Sequence, residues 1–471
     1  MPVVALDDTD ARETGMCTTY VGAVLGDRLR RVGYAVERFL LVRCNPAVEF
    51  KTRGNAAVAL HVERADATDE PGPRADGFTQ FDRTGGGSAG PRSTGRSSTF
   101  QADREQGATA DIEEADFEEL LEELVDIGRE TIASLAATDE PRTNPGLVVA
   151  PEAPPATSAV AQFATRAIRD HLTIDDAVEL ADERGYRTAH WGNGRGRIGA
   201  LAAIGAWHAH DDWTYERIAY RESSRWGTDR TVEESSVFEA AREHYPAVWD
   251  TVDRTAGDVV CVPHTPGPVL FGIRGDDPAS VEAVASAIDA EPVDGSVTFV
   301  TNQGTDAHVT RHTSDADRAK SPGDEIQASP QQELLDRRTY QIDGLVGSDP
   351  ESRTGGHVFF DLVRFHEAAG TLSDERAAVE PSVDRELIPD GDDTALECVA
   401  FEPTKRFRDR VRTLRRGDAI TVVGELDGGT VKLEKFALRD PVRTELGTPT
   451  CEECDRRMKS AGANQGYRCR P

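Results

Sequence analysis

Lysine is almost missing from this chain. Six lysines (Lys51, Lys320, Lys405, Lys432, Lys435 and Lys459) stand among 54 basic residues, and the other 48 are arginines. Against them are 84 acidic residues, for a net charge of −30. A surface so poor in lysine and so rich in carboxylates suits high salt, where self-repulsion is screened and hydrated carboxylates keep a protein soluble. Net charge alone does not separate this from an anionic protein that avoids nucleic acid, because binding depends on local patches. Long apolar runs are also lacking. No stretch reaches the roughly 18 residues of a membrane span. The first residues, MPVVALDD, lack the basic-then-apolar order of a secretory signal, so a cytoplasmic protein without membrane attachment is expected. Cysteine is scarce. Seven residues, several isolated in apolar runs, exclude a disulfide scaffold and fit a reducing compartment. What is present is enough for real cores: 38% of 471 residues are hydrophobic, a length that suits three or four domains.

The pattern divides the chain. Residues 1–174 read as an α/β domain with strands at Val3–Leu6, Val36–Cys44, Ala56–Val62 and Gly146–Ala150, and helices at Cys17–Val32 and Phe117–Leu135. Within it, residues 65–115 are rich in Gly, Ser, Asp, Arg and Pro and read as a disordered insertion. Residues 175–311 alternate helix and strand, with a helix from Ile174 to Arg184 and strands near Val259–Pro263 and Val269–Ile273, as in a ferredoxin-like layer. Residues 312–339 form a polar linker. From 340 to 445 five short strands fit an OB-type barrel. Residues 446–471 resemble a zinc ribbon. The fold class expected is therefore multidomain α+β.

Three stretches carry chemistry. In ALDDTDARETGMCTTY, Asp7, Asp8 and Asp10 crowd the end of the first strand. Carboxylates so placed can hold magnesium, a hard cation that bridges nucleotide phosphates. Lys51 and Arg53, in FKTRGNAAV, could reach the same phosphates. The bland alternative is a solvated acidic turn. GNGRGRIGA at 192–200 is a glycine-rich turn that could merely let two elements approach closely. Cys451-x-x-Cys454 with Cys469 gives three zinc ligands, and Arg456, Arg457, Lys459, Arg468 and the stacking ring of Tyr467 surround them. A fourth thiolate belongs three residues after Cys469, past Pro471, so the zinc site is expected to be incomplete in this sequence. In PTKRFRDRVRTLRR, Lys405, Arg406, Arg408, Arg410 and Arg412 lead a basic stripe that suits an RNA backbone. The alternative there is a solvated helix face.

DDTD with GMCTTY, then RCNPAVEFKTRGNAAV, TNPGLVV, GNGRGRIGALAAIGA, VPHTPGPVLFGIRG, TNQGTDAH, FEPTKRFRDRVR and QGYRC resemble the archaeal tRNA-isoleucine 2-agmatinylcytidine synthetases, of haloarchaeal type. The resemblance covers nearly the whole chain apart from 65–115 and the linker. It implies an ATP-dependent kinase-like domain followed by ferredoxin-like, OB and zinc-ribbon domains. It implies that agmatine replaces the oxygen on the carbonyl carbon at position two of the wobble cytidine, in an isoleucine tRNA with a CAU anticodon, while ATP becomes AMP and two phosphates. By the same resemblance Asp7, Asp8 and Asp10 serve magnesium and catalysis, Thr18 accepts a phosphoryl group, and Lys51, Arg53 and Asn55 serve the nucleotide. The guanidinium of agmatine needs a carboxylate, for which Asp306 and Asp253 are candidates. DNA and membranes are not expected partners. The alternative is a non-catalytic tRNA-binding protein in which the DDTD loop is structural.

Overall fold

The computed structural model describes residues 1–11, 15–49, 54–65, 114–311, 334–364, 395–443, 448–451, 453–462 and 466–469. The insertion expected at 65–115 and most of the linker at 312–339 lie outside these residues. The chain forms two compact units, Met1–Val309 and Thr310–Pro471.

In the first unit the elements run β1 (Val3–Asp7), α1 (Thr18–Arg31), β2 (Tyr34–Arg43), β3 (Ala56–Arg64), α2 (Glu114–Leu135), β4 (Gly146–Ala150), α3 (Ala159–Arg169), α4 (Ile174–Glu183), β5 (Arg187–His190) and α5 (Gly196–Ala209). They continue with β6 (Thr214–Arg221), α6 (Glu234–Glu243), β7 (Val248–Trp249), β8 (Val252–Asp253), β9 (Asp258–Val259), β10 (Val269–Gly275), α7 (Pro278–Ala287) and β11 (Val293–Thr301). One sheet of nine strands runs through the unit in the order β5-β4-β1-β3-β2-β11-β6-β10-β7. Its β1 is apolar without alternation because both of its faces are covered. Val4 and Leu6 pack with α1 and α2, and Val3 and Ala5 pack with α3 and α5. The last four strands, β11-β6-β10-β7 with α6 and α7, have the strand order of a ferredoxin-like layer. The boundary expected at residues 174 and 175 falls at the start of α4, inside this unit. The strand expected at Val259–Pro263 is only the two-residue β9, which closes a hairpin with β8.

The seam between the halves is short. β2 and β11 pair in parallel over Leu40–Val300 and Leu41–Thr301. The Asn302 side chain extends it, accepting from the Arg43 backbone N–H at 2.7 Å and donating to the Arg43 carbonyl at 3.0 Å.

The strand β12 (Val309–Arg311) lies at the unit boundary. The second unit contains β13 (Arg338–Val346), β14 (Glu351–Ser352), β15 (Val358–Arg364), β16 (Ala395–Ala400), α8 (Arg406–Val411), β17 (Ala419–Asp427) and β18 (Thr430–Asp440). Strands β13, β15, β16, β18 and β17 pair in that order and β17 returns to β13, which closes a five-stranded OB barrel. β19 (Lys459–Ser460) and β20 (Tyr467–Arg468) form the terminal hairpin.

Candidate active site

Strand β1 ends at Asp7, and Asp8 takes a left-handed backbone conformation (φ 55°) that turns the chain out of the sheet. Asp7, Asp8 and Asp10 then line one cavity of about 300 Å³. Its other walls include Gly54 and Asn55 before β3, His171 and Thr173 between α3 and α4, and Asn193, Arg195 and Gly199 around the start of α5. Asn55 is anchored by its Nδ2 donating to the Asn45 carbonyl at 2.9 Å. Lys51 and Arg53 lie outside the described residues.

The glycines of GNGRGRIGA explain how α5 gets so close. A Cβ on Gly199 would stand 2.0 Å from Asp7 Oδ2, and one on Gly196 would stand 2.5 Å from the Asp7 carbonyl oxygen. Only a helix with bare Cα atoms at these positions can press its first turn against the end of β1. The stretch is thus both the close-approach device expected and a wall of the site.

Crowded and desolvated carboxylates are hard to ionise. Burial, then the neighbouring Asp8 charge, pushes the Asp7 carboxyl well above the usual carboxylate range. Burial also raises Asp8, and Arg195 partly offsets this, leaving it at about 6. The Arg195 guanidinium donates to Asp8 Oδ2 from Nη2 at 2.9 Å and from Nε at 3.2 Å. Two buried carboxylates held away from ionisation, opening with a third into one cavity, are a donor set that a hard divalent cation fits.

Thr18 is the first residue of α1 and is 2% exposed. It does not line the cavity, but Asp10 does and holds it. Asp10 Oδ1 accepts from the Thr18 backbone N–H at 2.6 Å and from Thr18 Oγ1 at 3.1 Å. Thr9 Oγ1 donates to Thr18 Oγ1 at 3.1 Å. Asp10 therefore caps α1 from eight residues away and joins the cavity to the hydroxyl.

The structure does not bring Asp253 or Asp306 to this cavity. Asp253 Oδ1 accepts from the backbone of Thr255 at 2.9 Å and Ala256 at 3.1 Å, which shapes its own turn. Asp306 sits in the turn after β11 with φ 58°. Conversely, sequence reasoning missed Arg195, Asn193, His171 and Thr173. The Thr173–Asp176 capping box is a readable helix start, yet only the fold carries it to Asp7.

In the second unit, Lys405, Arg406, Arg410 and Arg412 of the basic stripe are exposed and Arg408 is half-buried. Two of these cations brace the barrel itself. Arg408 donates to the Gly356 carbonyl at 2.7 Å and pairs with Glu402 at 3.3 Å. Arg412 pairs with Asp409 and donates to Ser352 Oγ at 3.2 Å. In the tail, the Sγ atoms of Cys451, Cys454 and Cys469 lie within 4.8 Å of one another. Backbone N–H groups of Glu453 and Cys454 draw the Cys451 thiol down to about 7, toward the thiolate that zinc requires. These three sulfurs fit three positions of a tetrahedral zinc site. Tyr467 stands beside them, 53% exposed.

Family models described as the TiaS TCKD domain, the TiaS FLD domain and the TiaS C-terminal zinc ribbon domain match residues 3–71, 194–308 and 448–471. The isoleucine-tRNA 2-agmatinylcytidine synthetase TiaS of Haloquadratum walsbyi is 44% identical over 100% of this chain and 89% of its own length. That of Methanosarcina mazei is 36% identical over 99% of this chain and 88% of its own. Among solved structures, a complex of TiaS with its isoleucine tRNA and ATP matches with a TM-score of 0.70 and 32% identity, covering 99% of this chain and 88% of that one. A complex of TiaS with the same tRNA, AMPCPP and agmatine matches at 0.68 and 30%, with the same coverage. On this likeness, end to end in sequence and fold, the chain belongs to the TiaS family of isoleucine-tRNA 2-agmatinylcytidine synthetases.

Proposed function

We infer that this protein conjugates agmatine to the carbonyl carbon at position two of the wobble cytidine in an isoleucine tRNA with a CAU anticodon, using ATP. The observation that carries the reading is the acidic cavity joined through Asp10 to Thr18, in a chain alike throughout to relatives named for this reaction. A carbonyl oxygen is a poor leaving group. Phosphorylating it makes phosphate the leaving group, and the agmatine amine then displaces it. ATP ends as AMP and two phosphates, which supplies two phosphoryl groups, one for that oxygen and one for Thr18.

Phosphoryl transfer needs positioning and neutralised charge more than covalent work by the protein. Asp7 and Asp8 would hold magnesium, which when bound neutralises the phosphate chain. Asp10 lies within hydrogen-bond reach of Thr18 Oγ1 and is placed to take its proton. The start of α5 lines the same cavity, and the backbone N–H groups of a helix start favour an anion. Lys51, Arg53 and Asn55 are assigned to the nucleotide, Asn55 with support from its place in the cavity wall. Asp253 and Asp306 are assigned to agmatine by the carboxylate its guanidinium needs, and the turn bonds of Asp253 argue for a structural role. Zinc on the three cysteines would stiffen the tail, where Tyr467 and the flanking arginines can meet RNA. The exposed cations of the OB stripe are a second RNA contact. A cytoplasmic location belongs to the same reading.

The test is a mass measurement. Incubated with the isoleucine tRNA, ATP, magnesium and agmatine, the protein should add agmatine, less one water, to the tRNA. Binding without any mass gain would leave only the non-catalytic alternative. Thr18 should be labelled by γ-labelled ATP, and Thr18→Ala should not be. Equal labelling of that variant would move the acceptor to Thr19.

A further inference from the structure

We propose that Arg195 is a two-position side chain, engaged with Asp8 while the cavity holds no metal nucleotide and transferred to the terminal phosphates when one binds. The proposal rests on the ATP reading of the cavity and adds a residue that reading does not use.

Arg195 stands at the entrance to α5 on a loop fixed from below. Its backbone N–H donates to Asn193 Oδ1 at 3.0 Å, and the Asn193 N–H donates to Asn144 Oδ1 at 3.1 Å. The loop is held, so what moves is the side chain. That side chain is 22% exposed and its partner Asp8 11%. Both Nε and Nη2 go to the same carboxylate oxygen, Asp8 Oδ2, and Nη2 also reaches the Arg142 carbonyl at 3.2 Å. The guanidinium fork is thus not matched edge to edge with the two oxygens of this carboxylate, the arrangement in which arginine binds most firmly. Among the described residues lining the cavity, Arg195 is the only lysine or arginine, set against Asp7, Asp8, Asp10 and Asp170.

A divalent cation entering this site needs the lone pairs of Asp8. With the guanidinium bound to Oδ2 the two cations would stand a few ångströms apart in a poorly solvated place, a repulsion that disfavours holding both at once. Metal binding therefore expels Arg195. The anion left within its reach is the phosphate chain that the metal brings, and phosphate oxygens accept the fork side by side. Two consequences follow. Before nucleotide binds, Arg195 acts as an internal competitor and weakens metal binding. Once nucleotide is present, the same residue strengthens triphosphate binding. Metal and nucleotide then bind cooperatively, and by linkage each helps the other to the same degree.

The experiment uses the full chain, with manganese as the metal probe and a non-hydrolysable ATP analogue as the nucleotide. Calorimetry measures manganese binding without nucleotide, then analogue binding with manganese present, for wild type, Arg195→Met and Arg195→Lys. Arg195→Met should bind manganese about tenfold more tightly and the analogue about tenfold more weakly, a coupling of ordinary size. Arg195→Lys, which keeps the charge and loses the fork, should fall between the two in both measurements. In the background of Asp8→Asn the manganese gain from Arg195→Met should vanish, which ties it to that oxygen. Manganese affinity unchanged or weakened in Arg195→Met would overturn the proposal, as would unchanged analogue binding. Should Arg195→Met not fold, as seen by circular dichroism, Arg195→Lys carries the same two comparisons. Wild-type protein that binds manganese but no analogue would instead overturn the ATP reading of the cavity.

Discussion

Two arginine–carboxylate pairs sit in the same nine-stranded unit and serve opposite ends. Arg221 and Glu291 are 0% and 1% exposed at their side chains. Nε meets one carboxylate oxygen at 2.6 Å and Nη2 meets the other at 2.9 Å, edge to edge. The carbonyls of Thr228 and Asp229 take further guanidinium hydrogens, and the Thr231 N–H donates to Glu291. Asp8 and Arg195 instead share one oxygen at the wall of a cavity, and the carboxyl sits at about 6 with burial as the main cause. A closely matched pair fastens a fold. A loosely matched one keeps free energy available for a ligand.

The largest effect should come from Asp8→Asn. Loss of the proposed metal ligand should slow ATP-dependent labelling of Thr18 by about a thousandfold or more, several kcal/mol of barrier. Stability should move the other way. The Asp8 pKa is raised by folding from 3.8 to about 6, so its ionised form destabilises the folded state, fully so above pH 6. The amide removes that penalty, and at pH 7 the metal-free variant should be more stable by about 1–3 kcal/mol. Labelling at the wild-type rate would erase the distinction between the two pairs.

Next in size is Arg221→Met. It leaves Glu291 buried without its partner, and denaturant unfolding should show a loss of about 3–5 kcal/mol. A loss below about 1 kcal/mol, the range of an exposed pair, would mean that the matched pair is no fastening at all.

His61 sharpens the comparison with a third case. It is 1% exposed, neither ring nitrogen has a hydrogen-bond partner among the described residues, and it packs edge-on against Trp207. Burial, with the Arg38 charge, lowers its pKa from 6.5 to about 3. Below pH 6.5 the unfolded chain takes up a proton that the folded chain refuses, so stability falls as pH drops from 6.5 toward 3. The slope from this residue approaches about 1.4 kcal/mol per pH unit. His61→Phe should unfold less steeply with acid over that window. Identical slopes would mean that the ring is protonated in place.

The smallest effect concerns the OB stripe, where the same rule separates cations that brace the barrel from cations on its surface. Arg406→Ala with Arg410→Ala should weaken tRNA binding a few-fold and lower the salt slope by about two, one per phosphate contact. Arg408→Ala with Arg412→Ala should chiefly lower the melting temperature of the barrel. Reversed results would place the RNA contact on the bracing pair.

Much of the fold was readable from sequence because its strands are short apolar runs with clear stops. Gly146–Ala150 is found where the pattern puts it, and the five barrel strands agree to within a few residues. Helix α3 went unread although Val160, Phe163, Ala164, Ala167 and Ile168 have helical spacing. Helix α5 hid for a physical reason: it is apolar on every side, and its first turn looks like a glycine loop. The aspartates were legible because they are neighbours in sequence. Arg195 was not, because 187 residues separate it from Asp8 and only the packing of α5 on β1 brings them together.

The strand order β4-β1-β3 also bears on how this chain can vary. The end of β3 at Arg64 and the start of α2 at Glu114 lie far apart in the sequence. For a flexible connection the entropic cost of joining its ends grows only logarithmically with length, so each doubling costs about 0.6 kcal/mol. A fold joined by such a connection is nearly indifferent to how many residues it holds. Their number can drift between relatives without moving β1, α1 or the carboxylates at the end of β1, all of which are set by the sheet and not by the connection.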